Sequence, residues 1–537
     1  MRTTRRVALA LLAAGVGVAG AVASAPTQAA STGFSWQQKA VAEDSSFTEP
    51  SISINDKGDI VTCVPGGPGT VMWISEDDGK TFRRSETGVS GGTGGGDCEI
   101  HFLPDGTLVN SDLAISTSYV HTSKDLGRTW QRQADAGQEQ DRQWFASYNA
   151  GEPALYNVYH GITEEYEFFV RSYDAGKTWS PPVLINSADQ AAGTPGVIAK
   201  PGDTPSLADQ GYNTFSGPMV VDQKTGDLYV AYSISNAQSN VGAVHGFGPT
   251  RGVVVAHSPT GALGTWTNKY AVVTNDPLPT GGTVNGAIFP WLTIDDAGTV
   301  YVIYNSSEGG RFHTYYAYST DKTATWSEPI RVDGNPDAEG STVYATGVGG
   351  APGVLDLAWM EADNGAGPDD VASEWHVDFA QVRNAASAKP DIARSRVSDH
   401  LIHKGQICQM GLLCITGGDR SLGDFFELAV GPDGMAQLAW ADNGREGEPR
   451  QVYWAKQTSG RSIRDAGVKP GPGTKPGTKP GTKPGTKPGS EPAPATPPRA
   501  GGGRNLPATG LPAAIPVVAL VAVGAAVLVV RRRRDSV

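Results

Sequence analysis

Cysteine, methionine and histidine are scarce in this chain, with 4 Cys, 6 Met and 9 His in 537 residues. No His-rich stretch and no Cys-x-x-Cys pair is present, so the spacing of a zinc site is missing. Basic residues are few where they matter. Between residues 31 and 457 there are 27 Lys and Arg against 52 Asp and Glu, a formal charge of −25. A body this acidic excludes nucleic acid as a partner, because Lys and Arg contacts to phosphate dominate that affinity. The 69 glycines follow no three-residue period, which excludes collagen. Apolar residues make up 39%, with 12 Trp and 17 Tyr, and that content excludes wholesale disorder. The length suits about three ordinary domains or one large repeat architecture.

The two ends have their own logic. Arg2, Arg5 and Arg6 precede an apolar stretch from Val7 to Val22 and then small residues. That order predicts a signal peptide over 1–30, cut near Ala29 or Ala30. The Arg5-Arg6 pair leaves the general secretory and twin-arginine routes both open. Residues 458–505 read as a Pro/Gly/Thr/Lys linker built on four Gly-Thr-Lys-Pro units at 473–488. Proline every fourth residue forbids helix and favours an extended chain, with a reach on the order of 140 Å. Last come Leu506, Pro507, Ala508, Thr509 and Gly510, an apolar span over 511–530, and Arg531–Arg534. Twenty apolar residues suffice to cross a bilayer, and the arginines would stay cytoplasmic.

Pentapeptide, span and basic tail together resemble the sorting signal of Gram-positive cell-wall proteins. The resemblance implies that a sortase cuts between Thr509 and Gly510 and joins Thr509 to peptidoglycan. Sortase and peptidoglycan are then partners, and the chain is a secreted protein covalently anchored to the wall.

The body repeats itself. Ser75-x-Asp77-x-Gly79-x-Thr81-Phe82 returns as Ser123, Asp125, Gly127, Thr129, Trp130 and as Ser172, Asp174, Gly176, Thr178, Trp179. A fourth copy keeps Ser319, Asp321, Thr325 and Trp326 without the glycine, and a fifth runs from Ser258 to Trp266 without the aspartate. The chemistry is that of a hairpin turn. Asp accepts from turn amides, Gly takes a positive φ, and the aromatic fills the space between sheets. The spacing resembles the Asp-box, or BNR repeat, of sialidase-type β-propellers.

A second pattern alternates with the first: a short apolar alternation, a turn such as Asp105-Gly106, then a β-branched and aromatic strand. It starts at Pro50, Glu99, Trp144, Pro218, Pro290, Tyr344 and Phe425. Seven starts predict an all-β propeller of seven four-stranded blades over 31–457, with six as the alternative. Phe34–Val41 reads as an outer strand that completes the last blade and joins the two ends of the ring. Four cysteines in an exported chain predict two disulfides. Cys408 and Cys414 would close a small loop, leaving Cys63 to pair with Cys98.

Function in a propeller concentrates in the central funnel. The strand starts offer Glu49, Glu99, Asp141, Arg142, Tyr344 and Asp424 as funnel candidates, with Trp144 a surface for stacking on a sugar ring. Paired carboxylates could act as acid and base, or hold Ca²⁺. No other cofactor or metal is expected. Arg251, Arg311 and Arg420 are further candidates for binding a carboxylate. The sialidase resemblance implies three arginines around the sugar carboxylate, the first in a Phe-Arg-Ile-Pro motif. Here that motif reads Phe47-Thr48-Glu49-Pro50, with Thr48 in place of the arginine. The expected function is therefore a wall-anchored, sialidase-like propeller with a degenerate catalytic site that binds glycan or protein, a glycan or glycoprotein being the expected ligand. The alternative is an exo-α-sialidase-type glycoside hydrolase.

Overall fold

The computed structural model describes residues 33–465 apart from 43–47, 67–68, 88–95, 115–116, 138, 162–165, 187–199, 205–211, 237–239, 242–243, 246–249, 275–288, 309–310, 335–339, 365–366, 410–418 and 445–448. The signal peptide expected over 1–30, most of the linker, and the sorting segment from Leu506 to Gly510 with its span lie outside the described residues.

Short β-branched and aromatic runs make strands, of which Ile60–Pro65, Leu108–Ala114, Ala154–Gly161, Val354–Ala362 and Ala436–Asp442 are buried along their whole length, and they form seven antiparallel sheets built on four strands each. The inner strands are Ser51–Ile54, Cys98–Phe102, Gln140–Tyr148, Tyr212–Val221, Trp291–Ile294, Ser341–Gly349 and Glu427–Val430. Each touches the inner strand of the next sheet, and the seventh returns to the first. The fold is thus an all-β propeller with seven blades, numbered 1 to 7 in that order. The described residues hold strands and turns and no helix. Additions to the plan are small: a hairpin pairing Asn240–Val241 with Val244–His245 in blade 4, and a fifth strand, His403–Lys404, in blade 6.

Blade 7 closes the ring. Ser35–Ala42 pairs with Gln451–Ser459, which pairs with Ala436–Asp442. The N-terminal strand therefore covers what would be an open edge. The ring also runs past residue 457, where the linker was expected to begin. The last strand ends at Ser459, and the turn that follows lays Ile463 against Ala351 and Val354 of blade 6. Ile463 donates its amide to Gly434 O and accepts from Ala351 N, so one residue ties blade 7 to blade 6.

The repeated Ser/Asp/Thr segments all join the third and fourth strands of their blades. In the first, Asp77 accepts from Thr81 N at 2.9 Å and from Thr81 Oγ1 at 2.7 Å. The same bonds recur at Asp125, Asp174 and Asp321. The Thr81 amide bond, then its hydroxyl, hold the Asp77 carboxyl down at about 2. The Ser75, Ser123, Ser172 and Ser319 hydroxyls accept the amide at the glycine position. That position needs a positive φ: 77° at Gly79, 71° at Gly127, 85° at Gly176 and 71° at Thr323. At Gly79 space is a second constraint, since a Cβ would lie 2.0 Å from the Trp454 ring.

The aromatic that ends each segment packs onto the preceding blade. Phe82 meets Trp454 of blade 7, and the Trp130 indole donates to Ser85 of blade 1. Trp179 donates to Ala134 O of blade 2, and Trp266 meets Phe169 of blade 3. Burying such a ring stabilises each seam by on the order of 2 kcal/mol. A disulfide between Cys63 and Cys98 joins blades 1 and 2. Cys408 is also disulfide-bonded, and Cys414 lies outside the described residues.

Candidate functional site

The middle of the ring is filled rather than open. Trp144 meets Phe289 and Trp291 edge to face, at 5.5 Å from Trp291, and meets Phe425 tilted at 5.4 Å. Offset and edge contacts of this kind suit the ring quadrupoles. Above the floor lies the Arg142 guanidinium, 3.5 Å from the Trp144 ring centre and 4.3 Å from that of Phe425.

Arg142 is 1% exposed and pairs with Glu99 at 2.8 Å and Glu427 at 3.1 Å. Ser51 Oγ and Ile52 N both donate to the other Glu427 oxygen. Two carboxylates around one guanidinium leave a surplus negative charge in a dry place. Burial, and then repulsion from Glu427, push Glu99 up to about 8 even against Arg142. At neutral pH the triad therefore holds a proton and carries little net charge. Arg142 also donates its backbone amide to Asp141. One expectation for this region is corrected. Trp144 is 1% exposed and covered by Arg142, so no sugar can stack on it.

A second group stands beside the first. Arg420 reaches Glu49 at 2.7 Å and Asp424 at 2.8 Å, and Asp424 N donates to Glu49. Burial, then the charge of Asp97, raise Glu49 well above the usual carboxylate range. Asp141 is pushed up to about 6 by burial and by Asp97. Tyr344 donates its hydroxyl to Gly423 O at 2.6 Å. Burial, and then Asp424, hold that phenol well above its ordinary value, so it is a hydrogen-bond donor and no ready nucleophile.

The chain reaches these positions through local distortion. The inner strand of blade 3 bulges between Asp141 and Gln143, and that of blade 6 between Val343 and Thr346. Arg142, Tyr344 and Glu49 all have positive φ, at 24°, 57° and 62°. Bulky residues in that region are strained, and such strain gathers at binding and catalytic sites.

Between the two groups and blade 5 is a narrow recess with about 10 Å³ of room, enough for about one water molecule. Its walls include Phe289, Trp291, Tyr304 and Phe425, and Tyr344, Gln409 and Asp424 face it. Asp424 Oδ1, Gln409 Oε1 and Arg420 Nη1 are buried atoms with no hydrogen-bond partner among the described residues.

All six funnel candidates thus fall in this centre: Glu99 and Arg142 in the triad, Glu49, Asp141, Tyr344 and Asp424 in the second group. Arg420 joins them. Arg311 opens a strand at a hairpin of blade 5, and the Arg251 side chain lies outside the described residues. Asp97, Glu427 and Gln409 were missed. Asp97 stands just before an inner strand, as Glu49 and Asp424 do, and that repeated acid was a usable signal. Glu427 follows Phe425 at strand period and so shares its face. Gln409 gave no signal.

No groups of three or more Asp, Glu, His or Cys able to hold a metal ion occur among the described residues. No known family profile matches the sequence, and no curated protein matches it. The chain is similar in fold to several solved structures. One is a polysaccharide lyase, ulvan lyase, at 12% identity and TM-score 0.49, over 78% of this chain and 95% of that one. Another is an α-L-arabinanase of Penicillium chrysogenum, at 14% and 0.36, over 69% and 93%. A third is the NanB sialidase of Streptococcus pneumoniae, at 11% and 0.39, over 78% and 70%.

Proposed function

We propose that this chain is a wall-anchored surface propeller that binds a saccharide at the mouth of the recess between Tyr344, Asp424 and the aromatic wall. The observation that carries the reading is that recess. Its walls are aromatic and a few polar groups converge on it, as ligand sites require. Anchoring through Thr509 rests on the order of pentapeptide, apolar span and basic tail in the sequence.

Sialic acid is a poor match. Its carboxylate wants a free guanidinium fork. Thr48 stands where the first arginine would be, Arg142 is buried and engaged by Glu99 and Glu427, and Arg420 already holds Glu49 and Asp424. The test is a glycan array together with a fluorogenic α-sialoside, using the full chain. Saccharide binding without sialoside turnover is expected. Robust turnover, or an array with no saccharide bound, overturns the reading.

One observation favours hydrolysis as a second reading. Burial, and then Asp97, raise Glu49 well above the usual carboxylate range and push Asp141 up to about 6, so two buried carboxyls with a raised proton affinity stand at the centre, as acid–base chemistry requires. A screen of uncharged aryl glycosides would find turnover that falls at least 100-fold in Glu49→Gln. A screen without turnover removes that reading.

A further inference from the structure

Several polar groups on the recess are already committed. Asn305 donates to Thr314 and Thr342 and accepts from Ala345 N, and Tyr344 donates to Gly423 O. Asp424 gives its Oδ2 to Arg420. Two acceptors on the recess are left over. Asp424 Oδ1 and Gln409 Oε1 have no donor among the described residues, and the residues that carry them are 7% and 1% exposed. Burying an acceptor without a donor is costly, so each oxygen calls for an N–H or O–H. The rings of Phe289, Phe425 and Phe426, which complete much of the wall, have none to give.

The size of the recess names the donor. About 10 Å³ of room is the space of one water molecule and of no sugar ring. Water brings two O–H groups in that volume, one for each oxygen. Buried waters persist where polar partners hold them, whereas dry cavities are apolar throughout. A metal cation is less well served, since Ca²⁺ takes about six to eight oxygens and only these two are left over.

We infer that the recess is a site for one fixed water, held by Asp424 and Gln409, and that a saccharide at the mouth hydrogen-bonds to this water. The second half rests on the saccharide reading above and says how that site recognises its ligand. With both hydrogens turned to the protein, the water shows only lone pairs outward. It accepts from a ring hydroxyl and offers nothing to an ether oxygen or a carboxylate. A bridging water of this kind is nearly as good a contact as a direct hydrogen bond.

Crystals of the full chain, without any saccharide, test the water first. One peak within hydrogen-bond distance of both Asp424 Oδ1 and Gln409 Oε1 is expected, with no anomalous signal there after a rubidium soak. Gln409→Leu removes one of the two holders and should erase the peak, while Gln409→Glu keeps an acceptor and should keep it. No peak in the wild-type crystals, or a rubidium signal in its place, overturns the water site. The glycan array tests the contact with saccharide. Saccharides bound by the wild type should bind about 3- to 10-fold more weakly to Gln409→Leu, the worth of one hydrogen bond, and as tightly as before to Gln409→Glu. Equal affinity in wild type and Gln409→Leu overturns the water-mediated contact and leaves the saccharide reading standing. An array with no saccharide bound overturns both of these, and the crystals alone then decide the water.

Discussion

The rim turns and the centre of the ring use the same unusual backbone region in opposite ways. At the rim each turn takes two left-handed residues in a row: a less buried non-glycine, Asp78, Leu126, Ala175 or Lys322, and then a buried position filled by Gly79, Gly127, Gly176 or, as the exception, Thr323. In the centre, beside Gly423, the buried left-handed positions are Glu49, Arg142 and Tyr344. Glycine takes a positive φ at no steric cost, whereas a bulky side chain pays about 1–3 kcal/mol. The rim is built for stability and repetition. The centre accepts strain to hold particular side chains at particular places.

The largest expected effect lies in the centre. Arg142→Met strips two buried carboxylates of their shared cation and should destabilise the fold by about 3–5 kcal/mol. Denaturant unfolding measures it, and a loss below 1 kcal/mol would mean that the triad contributes nothing the aromatic floor does not supply.

At the rim, a matched pair separates crowding from conformation. Gly79→Ala drives a Cβ into the Trp454 ring, and overpacking plus the φ penalty should cost about 2–5 kcal/mol. Gly106 has φ +83° and nothing within 4 Å, so Gly106→Ala should cost only about 1–2 kcal/mol. Equal losses would show that the seam yields easily.

Glu99 gives a pH signature. Its carboxyl titrates at about 8 in the fold against an ordinary 4.5, so the folded state resists ionising it. Its contribution to stability is complete below pH 4.5 and is lost as pH rises through 8. Glu99→Gln should remove up to about 1.4 kcal/mol per pH unit of that decline. Parallel stability curves for variant and wild type between pH 5 and 8 would contradict it.

The smallest effect is a gain. Thr323 keeps the glycine's φ of 71° without being glycine. Thr323→Gly should stabilise blade 5 by about 1 kcal/mol, read as a small rise in Tm. A fall would show that the threonine side chain packs well enough to offset its strain.

Much of the ring was legible in advance, because its physics is local. Alternation, turn residues and the Ser/Asp/Thr repeat each act within about ten residues, so the seven inner strands, the closing strand and the Cys63–Cys98 pair could be read directly. The centre was legible only in membership. Glu49, Glu99, Arg142, Tyr344 and Asp424 could be named because each opens a blade. Their partners could not be assigned, since Arg142 meets Glu427 across 285 positions of sequence. The covering of Trp144 was hidden for a related reason. A backbone bulge at Arg142 decides which way that guanidinium turns, and no spacing rule signals it.

Pairing Ser35–Ala42 with Gln451–Ser459 imposes an order of events on a chain that is synthesised N-terminus first. Blades 1 to 6 can assemble as they emerge, each seam sealed by its own local contacts. The first strand cannot, because its partner is the last to arrive. Until residue 459 is out, the nascent protein is an open arc with two exposed edges and a lone strand bearing Trp36. Those edges are the places where a protease or a second nascent chain can intervene. The final pairing converts the arc into a closed ring in one step. Resistance to proteolysis should therefore appear abruptly, at the end of synthesis rather than blade by blade.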